Sequence, residues 1–253
     1  MESIDYIIPT WNSAATLELT IKSIERFGHP NQIIIVDRDS SDGTLDIARS
    51  HGCRIIRSIK PLGGARLEGA RNAETELVGF VDSDVEIKDS WKKLLLEAQS
   101  KRYKDAGVFG AYYEGCLSND RWPLILNGGN GAFGCVITYR PLLLECTELG
   151  RFSSAEDGVY ARFLSKKGLK WYIFPVDVVH HQKLTGIPSA LKWRWLGAGL
   201  RVRDGFKLIN IRRILGGALV GIRMNNLNIS YWENWRIRFN ILLDICYIKN
   251  IMK

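Results

Sequence analysis

The chain of 253 residues is 46% apolar and 25% charged, a globular composition that excludes disordered and collagen-like classes. At this length a chain buries a core without disulfides or structural metals. The net charge of +8 is unevenly distributed: residues 1–182 carry 22 basic and 24 acidic side chains, whereas residues 183–253 carry 13 basic and 3 acidic ones. The excess positive charge is therefore confined to residues 183–253.

The first 110 residues alternate short β-branched runs with amphipathic or Ala-rich segments. The predicted strands are Tyr6–Ile8, Gln32–Val36, Arg54–Ile59, Leu77–Val81 and Gly107–Phe109. The predicted helices are Leu17–Ile24, Gly64–Glu76 and Asp89–Lys101. This alternation indicates βαβ units in an α/β fold, with a mainly parallel central sheet flanked by helices. The binding crevice of such a sheet lies at the carboxyl ends of its strands.

Beyond Phe109 the pattern changes. Residues 110–135 are rich in Gly, Asn and aromatic side chains, which predicts a loop region lining a pocket. The elements predicted after it are a strand at Cys135–Tyr139, helices at Pro141–Thr147 and Glu156–Lys167, and a strand at Trp171–Val176. From Ile187 onward we expect amphipathic helices with Arg and Lys on one face.

Two carboxylates one residue apart, Asp82 and Asp84, end a predicted buried strand. In an extended chain, side chains at i and i+2 point to the same side, so both would face one ion or ligand. Carboxylate oxygens suit Mg²⁺ or Mn²⁺, particularly when a diphosphate completes the coordination. The alternative is a pair of aspartates that cap the following turn.

Four segments in order resemble the family 2 glycosyltransferases, which have the GT-A fold and are inverting enzymes. They are Ile7-Ile8-Pro9-Thr10-Trp11-Asn12, Val36-Asp37-Arg38-Asp39-Ser40-Ser41-Asp42-Gly43-Thr44, Ala70-Arg71-Asn72 and Asp82-Ser83-Asp84. The resemblance covers about residues 3–182. It implies a GT-A catalytic domain over residues 1–182, with a Rossmann-like nucleotide-sugar-binding half (1–110) and an acceptor half (111–182). Residues 183–253 would be a basic helical extension.

The resemblance also implies roles for residues on the donor side. Those expected to contact or shape the site of the nucleotide sugar are Pro9, Thr10, Asn12, Asp37, Asp39, Arg66, Arg71, Asp82 and Ser83. Asp37 would contact the base, and Arg71 would lie near the base and diphosphate. Arg66 is a second diphosphate candidate, on a loop at Gly63-Gly64 that we expect to be mobile. Many family members have a second acidic residue directly after the position of Asp37, and Arg38 at that position leaves UDP and GDP both open, with UDP favoured.

The metal, Mn²⁺ or Mg²⁺, would be held by Asp84 and Asp82, with His180 or His181 beside it; we favour His180. The resemblance places the catalytic base at Asp157, in the first turn of a helix, with Glu156 orienting groups next to it. An ionised carboxylate there can take the proton of an attacking hydroxyl. The alternative is that both acidic residues only favour the helix dipole.

The Glu-Asp pair favours a hydroxyl acceptor, because a polyprenyl phosphate oxygen is already ionised and needs no base. The sequence therefore predicts a metal-dependent inverting hexosyltransferase that acts on a glycan or lipid-linked acceptor. Two alternatives stay open: a polyprenyl- or dolichyl-phosphate sugar synthase, and a non-catalytic nucleotide- or nucleic-acid-binding module. No nucleic-acid motif is recognisable, and no nucleic acid is expected as a partner.

The basic segment 183–253 also holds four of the eight Trp residues, a composition typical of membrane interfaces. Its longest apolar run, Ile214–Ile222, is far shorter than the roughly 20 residues that span a bilayer. We expect peripheral contact with a membrane; the alternative is a solvated basic face that packs on its own domain. The N-terminal segment has no signal-peptide pattern, and the five cysteines form no CxxC pair. These features predict a cytoplasmic protein at the cytoplasmic membrane face, with reduced thiols.

Overall fold

The computed structural model describes residues 1–113, 124–126 and 132–181, the segment 124–126 by its backbone alone. The predicted helical extension over residues 183–253 lies outside the described residues, as does most of the predicted loop region 110–135. The described residues form one nine-stranded sheet with helices packed against it.

The strands, in chain order, are β1 (Ile4–Thr10), β2 (Pro30–Asp37), β3 (Arg54–Arg57), β4 (Leu77–Val81), β5 (Val85–Ile87), β6 (Ala106–Tyr113), β7 (Leu124–Leu126), β8 (Cys135–Tyr139) and β9 (Lys170–His180). The helices are α1 (Leu17–Phe27), α2 (Thr44–Ser50), α3 (Leu62–Asn72), α4 (Trp91–Gln99), α5 (Arg140–Glu145) and α6 (Glu156–Lys166), with a 3₁₀ helix at Thr147–Arg151.

The sheet has a parallel half and a mixed half. Its strand order is β3-β2-β1-β4-β8-β6-β9-β5, and β7 pairs with β9. The first four strands are parallel to one another, as the βαβ pattern predicts. Beyond β4 the sheet is not mainly parallel: β8 is antiparallel to both β4 and β6, whereas β6 and β9 are parallel.

Parallel pairing brings the carboxyl ends of β1, β2 and β4 to one edge. Thr10 and Asp37, the last residues of β1 and β2, are register partners, and Ile7 of β1 is the partner of Phe80 of β4. The residues that follow these strands therefore meet at a common edge, which is where ligands bind in parallel α/β sheets.

The central strands are apolar on both faces because helices cover both sides of the sheet. In β1 the residues Ile4 to Ile8 are all buried, and α1 contributes Leu17, Ile21 and Ile24 to the same core. This burial explains why β1, β2 and β4 stand out in the sequence as continuous hydrophobic runs.

Four of the described elements went unpredicted, among them the 3₁₀ helix at Thr147–Arg151. The helix α2 is only seven residues long and begins directly after the Ser-Ser-Asp-Gly turn. The strands β5 and β7 have three residues each, too few for a period to be visible. Among the residues that the structure describes, no helix is both long enough and apolar enough to cross a bilayer.

Candidate functional site

Asp37 organises the turn after β2. Its carboxylate accepts hydrogen bonds from the Thr10 hydroxyl at 2.7 Å and from the Ser40 backbone N–H and hydroxyl at 2.8 and 2.6 Å. The side chain is fully buried. The structure thus places Asp37 at the predicted edge but uses its oxygens to join β1 to the next turn. The contact of the Asp37 carboxylate with the base, which the resemblance implies, stays a prediction.

Asn12 links the turns that follow β1 and β2. Its N–H donates to the Ser40 hydroxyl at 2.8 Å, and its amide oxygen accepts from the Ser41 N–H at 2.9 Å. Asn12 and Asp39 both have φ near +50°, the left-handed conformation that Asn and Asp adopt more readily than most residues. Asp39 is exposed and Pro9 is half-buried within β1, so Asp39 is the more accessible of the two to a ligand.

An aromatic–cation pair borders the same edge and was not singled out as a pair from the sequence. The Trp11 ring is half exposed, and the Arg38 guanidinium lies 5.8 Å from its centroid. A flat apolar ring next to a planar cation is a surface on which a nucleotide base can stack.

The Asp82–Val85 segment is a turn, which corrects the extended geometry assumed from the sequence. The Val85 N–H donates to the Asp82 carbonyl at 2.9 Å, and the Asp82 N–H donates to the Gly134 carbonyl at 3.0 Å. The carboxylates of Asp82 and Asp84 are both partly exposed, at 35% and 21%. They are presented by the turn between β4 and β5 rather than by strand alternation.

The Ser83 side chain is turned into the protein, unlike the partly exposed carboxylates of Asp82 and Asp84. Its hydroxyl is 2.9 Å from the Ser13 hydroxyl, and its carbonyl accepts from the Thr16 hydroxyl at 2.7 Å. The side chain is buried. Ser83 therefore fixes the Asp82–Asp84 turn against the start of α1, a position from which it can shape the donor site; a direct contact with the donor stays a prediction.

The two histidines after β9 have different neighbours. His180 Nε2 lies 3.4 Å from Asp84 Oδ2, whereas His181 Nε2 lies 2.9 Å from Glu86 Oε2. The backbone N–H of His181 donates to the Asp84 carbonyl at 2.7 Å. Of the two, His180 is the one whose ring nitrogen lies next to the predicted metal-binding carboxylate.

Arg66 joins the two acidic motifs. It lies in the second turn of α3 and is 1% exposed. Its Nη2 is 2.9 Å from Asp82 Oδ1 and 3.5 Å from Glu156 Oε1.

The expectation of a mobile loop at Gly63-Gly64 is wrong: both glycines are helical and buried. A Cβ on Gly63 would lie 2.1 Å from the Leu149 carbonyl oxygen, so the helix packs directly on the 3₁₀ helix.

Glu156 and Asp157 occupy the first turn of α6, as predicted. Burial raises the pKa of Glu156 to about 7, with the Arg66 guanidinium acting in the opposite direction and the Asp157 carboxylate adding to the rise. The Asp157 side chain is only half-buried, and its Oδ1 accepts from the Gly158 N–H at 2.6 Å. Asp157 is therefore the more accessible carboxylate of the pair.

Arg71 is not brought to this site. It is exposed in the last turn of α3, five residues or about 7.5 Å of helix beyond Arg66. The neighbouring Asn72 carbonyl accepts from Arg54, the first residue of β3, so this end of α3 faces the amino ends of the strands. The expected contact with base and diphosphate does not fit this position.

Tyr113 and Gly134 belong to the site and were missed. Burial raises the pKa of the Tyr113 phenol, and the carboxylates of Asp82 and Asp84 act in the same direction. The Tyr113 ring is 4.9 Å from that of His180. A Cβ on Gly134 would lie 2.2 Å from Asp82 Oδ2. The run Gly-Asn-Gly-Ala-Phe-Gly offered a signal for Gly134, since glycines permit close approach; Tyr113 offered none.

The acidic residues fit a divalent cation that is shared with a substrate. Within the described ranges, no group of three or more His, Cys, Asp and Glu side chains forms a metal cage. Mg²⁺ and similar ions are, however, commonly held by one or two carboxylates together with substrate phosphates. The partly exposed carboxylates of Asp82 and Asp84 supply that number of oxygen ligands.

Residues 5–151 match the family described as glycosyl transferase family 2. "Putative teichuronic acid biosynthesis glycosyltransferase TuaG" of Bacillus subtilis is 33% identical over 104 residues, 38% of this chain and 40% of TuaG. Uncharacterized protein MT1568 of Mycobacterium tuberculosis is 35% identical over 118 residues, 43% of this chain and 35% of MT1568. The chain thus spans 40% or less of the length of these two relatives.

Solved structures share the fold at low identity. The mannosyltransferase PcManGT from Pyrobaculum calidifontis, in complex with GDP-Man and Mn²⁺, has a TM-score of 0.65 at 16% identity. The match covers 94% of this chain and 84% of the PcManGT chain. Glucosyl-3-phosphoglycerate synthase from Mycobacterium tuberculosis, in complex with Mn²⁺, UDP and phosphoglyceric acid, has a TM-score of 0.57 at 19% identity, covering 80% and 78%. These likenesses confirm the predicted α/β fold of the GT-A type.

Proposed function

Because the chain belongs to glycosyl transferase family 2 and is a glycosyltransferase, we propose that it transfers a sugar, with inversion, from a nucleoside-diphosphate sugar to a hydroxyl group. The acceptor hydroxyl belongs to a glycan or a lipid-linked molecule. A UDP-sugar is the favoured donor, with a GDP-sugar as the alternative.

One observation carries this proposal: Arg66 is in contact with both Asp82 and Glu156. One nitrogen of the guanidinium, Nη2, lies 2.9 Å from the Asp82 carboxylate, which follows β4, and 3.5 Å from the Glu156 carboxylate at the start of α6. These two motifs are 74 residues apart in the sequence. Sugar transfer requires this juxtaposition, since the leaving diphosphate and the attacking hydroxyl meet at one carbon.

The donor site is the edge formed by the turns after β1, β2 and β4. The base would stack near Trp11 and Arg38, and the diphosphate would lie toward Asp82 and Asp84. A divalent cation, Mn²⁺ or Mg²⁺, would be held by these two carboxylates with His180 nearby, and would neutralise charge on the leaving diphosphate. The solved structures with this fold that hold Mn²⁺ together with UDP or GDP-Man support this choice of donor and metal.

On the acceptor side, the Asp157 carboxylate takes the proton of the acceptor hydroxyl while its oxygen attacks the anomeric carbon. The bond from that carbon to the diphosphate breaks, and the nucleoside diphosphate leaves with the electron pair. Glu156 lies deeper, next to Arg66, and orients the groups beside it. The position of Asp157 in the first turn of α6 stabilises its ionised form.

The place of reaction is proposed to be the cytoplasmic face of a membrane. The support is the composition of residues 183–253, which combine 13 basic side chains with four Trp. The full chain should sediment with anionic vesicles at low salt and be released at high salt. Equal binding to neutral vesicles would remove this part of the proposal.

The substitution Asp157→Asn tests the proposed mechanism. Removing a general base typically costs 10²–10⁴-fold, and we expect a loss of about that size in kcat. The measurement is nucleoside diphosphate release in the presence of acceptor, with the exposed Asp46→Asn as a matched control. Turnover that stays nearly intact in Asp157→Asn would instead favour a polyprenyl-phosphate sugar synthase, whose acceptor needs no base.

A further inference from the structure

Arg66 is a charged side chain enclosed by aromatic rings. Its guanidinium carbon lies 4.9 Å from the centroid of Phe133 and 5.6 Å from that of Phe80, and these two rings contact each other edge to face. Of its nitrogens, Nη2 is paired with carboxylates, while Nε and Nη1 have no hydrogen-bond partner among the described residues. Burying a cation whose nitrogens are only partly hydrogen-bonded costs free energy of folding. Such a side chain is therefore expected only where the cation has a specific task.

The charges around Arg66 argue against a direct contact with the diphosphate. The positive charge of Arg66 is already balanced by the Asp82 carboxylate at 2.9 Å, so the cluster has no net positive charge whether or not Glu156 is ionised. A diphosphate anion would therefore gain little binding energy from contact with this cluster. The carboxylates raise the pKa of Arg66 although burial opposes its charge, and the arginine stays protonated.

The Asp82 carboxylate is confined on both of its oxygens. Oδ1 accepts from Arg66 at 2.9 Å, and Oδ2 faces Gly134 so closely that a Cβ there would overlap it. The same nitrogen, Nη2, lies 3.5 Å from Oε1 of Glu156, a buried carboxylate for which Arg66 is the counter-charge that favours the ionised form. One side chain thus sets the orientation of a donor-side and an acceptor-side carboxylate together.

We propose that Arg66 is a positioning residue that fixes Asp82 and Glu156 relative to each other, so that metal-bound donor and acceptor are aligned for transfer. This inference rests on the proposed function. It replaces the sequence-based expectation that Arg66 binds the diphosphate. The aromatic enclosure by Phe80 and Phe133 holds the guanidinium plane in the orientation that reaches both carboxylates.

The test compares Arg66→Met and Arg66→Lys with the unchanged full chain by calorimetric titration. The probes are UDP and GDP, each with Mn²⁺ and each with EDTA. In Arg66→Met we expect affinity for the Mn²⁺–nucleotide to fall about tenfold or more, because a metal ligand is misoriented, while metal-free affinity stays unchanged. A diphosphate-binding Arg66 would instead lower both affinities. Such a result would overturn the proposal.

Kinetics supply the second measurement. Misalignment by about 1 Å can cost 10²-fold in rate, so kcat of Arg66→Met should fall about 100-fold, with Arg66→Lys intermediate because it keeps the charge but not the planar fork. Arg49→Met, which removes an exposed arginine from α2, is the matched control and should match the unchanged chain.

If Arg66→Met does not fold, Arg66→Lys must still show the metal-specific loss. Unaltered kcat and Mn²⁺–nucleotide affinity in a folded variant would refute the proposal. Failure of the unchanged chain to bind either nucleotide with Mn²⁺ would refute the proposed function instead.

Discussion

Gly134→Ala is the smallest change that should disable the donor side of the site. The glycine lies directly behind the Asp82 carboxylate, and an added Cβ would be 2.2 Å from Oδ2, 2.5 Å from Cγ and 3.0 Å from Cβ of Asp82. Its backbone is not in the left-handed region, since only Gly52 and Gly168 have positive φ among the described glycines. The substitution therefore acts through the contact with Asp82 and not through backbone strain.

The size of the effect follows from these distances. Non-bonded carbon and oxygen atoms stay more than 3 Å apart, so the carboxylate has to move by about 1 Å, which disturbs the 2.9 Å hydrogen bond that it accepts from Arg66. Overpacking of this kind costs about 1–3 kcal/mol in stability. The cost to catalysis should be about 100-fold in kcat/KM, or about 2.7 kcal/mol in transition-state free energy, because a metal ligand is displaced by about 1 Å.

The assay is nucleoside diphosphate release as a function of Mn²⁺ concentration, together with the melting temperature. Gly150→Ala is a matched control, since a Cβ there would meet only ordinary contacts, the nearest being Leu67 Cδ1 at 3.5 Å. We expect Gly134→Ala to need more Mn²⁺ and to turn over slowly while Gly150→Ala stays close to the unchanged chain. Normal Mn²⁺ dependence and rate in a folded Gly134→Ala would show that the position of Asp82 is not critical.

Two further predictions concern stability and pH. Folded Glu156 keeps its proton up to about pH 7 whereas the unfolded chain releases it near pH 4.5, so its contribution to stability falls as pH rises through this interval. The unfolding free energy of Glu156→Gln relative to the unchanged chain should accordingly rise by on the order of 3 kcal/mol between pH 4.5 and 8 in urea titrations, and a flat difference would contradict the buried environment. Asp5 is buried, which opposes its ionisation, but hydrogen bonds from Asn31, Glu74, Thr75 and Gln32 lower its pKa. Its contribution is therefore present above about pH 4 and is lost as the pH falls through the lowered pKa. Asp5→Asn should cost about 1–3 kcal/mol at pH 7, and this cost should shrink as the pH falls below 4; a cost that does not change with pH would refute this.

The parallel half of the sheet could be predicted because its residues are buried on both faces. The strands β1, β2 and β4 each contain a run of buried apolar residues, and the polar residues that follow these runs mark the binding edge. The mixed half was not predicted, because the direction of a strand is not encoded in its own composition. The pairing of β8 with both β4 and β6 depends on contacts between distant segments.

The candidate site shows the same division. Asp82 and Asp84 were found from a short local pattern, and Glu156 and Asp157 from the family resemblance; the structure brings Asp82 and Glu156 together at Arg66. The orientation of neighbouring side chains was not accessible in this way. Ser83 and Asp37 are turned inward by hydrogen bonds to Ser13, Thr10 and Ser40, and Arg66 is buried by packing against Phe133, a residue 67 positions later in the chain.

The most direct test of the proposed function is a donor screen with the purified full chain. UDP or GDP release is measured from a panel of nucleotide sugars with Mn²⁺, with Mg²⁺ and with EDTA, in parallel with the substitution Asp84→Ala. We expect release from one class of nucleotide sugar, which requires the metal and is abolished in Asp84→Ala. Release that is equally fast with EDTA, or that survives in Asp84→Ala, would contradict it.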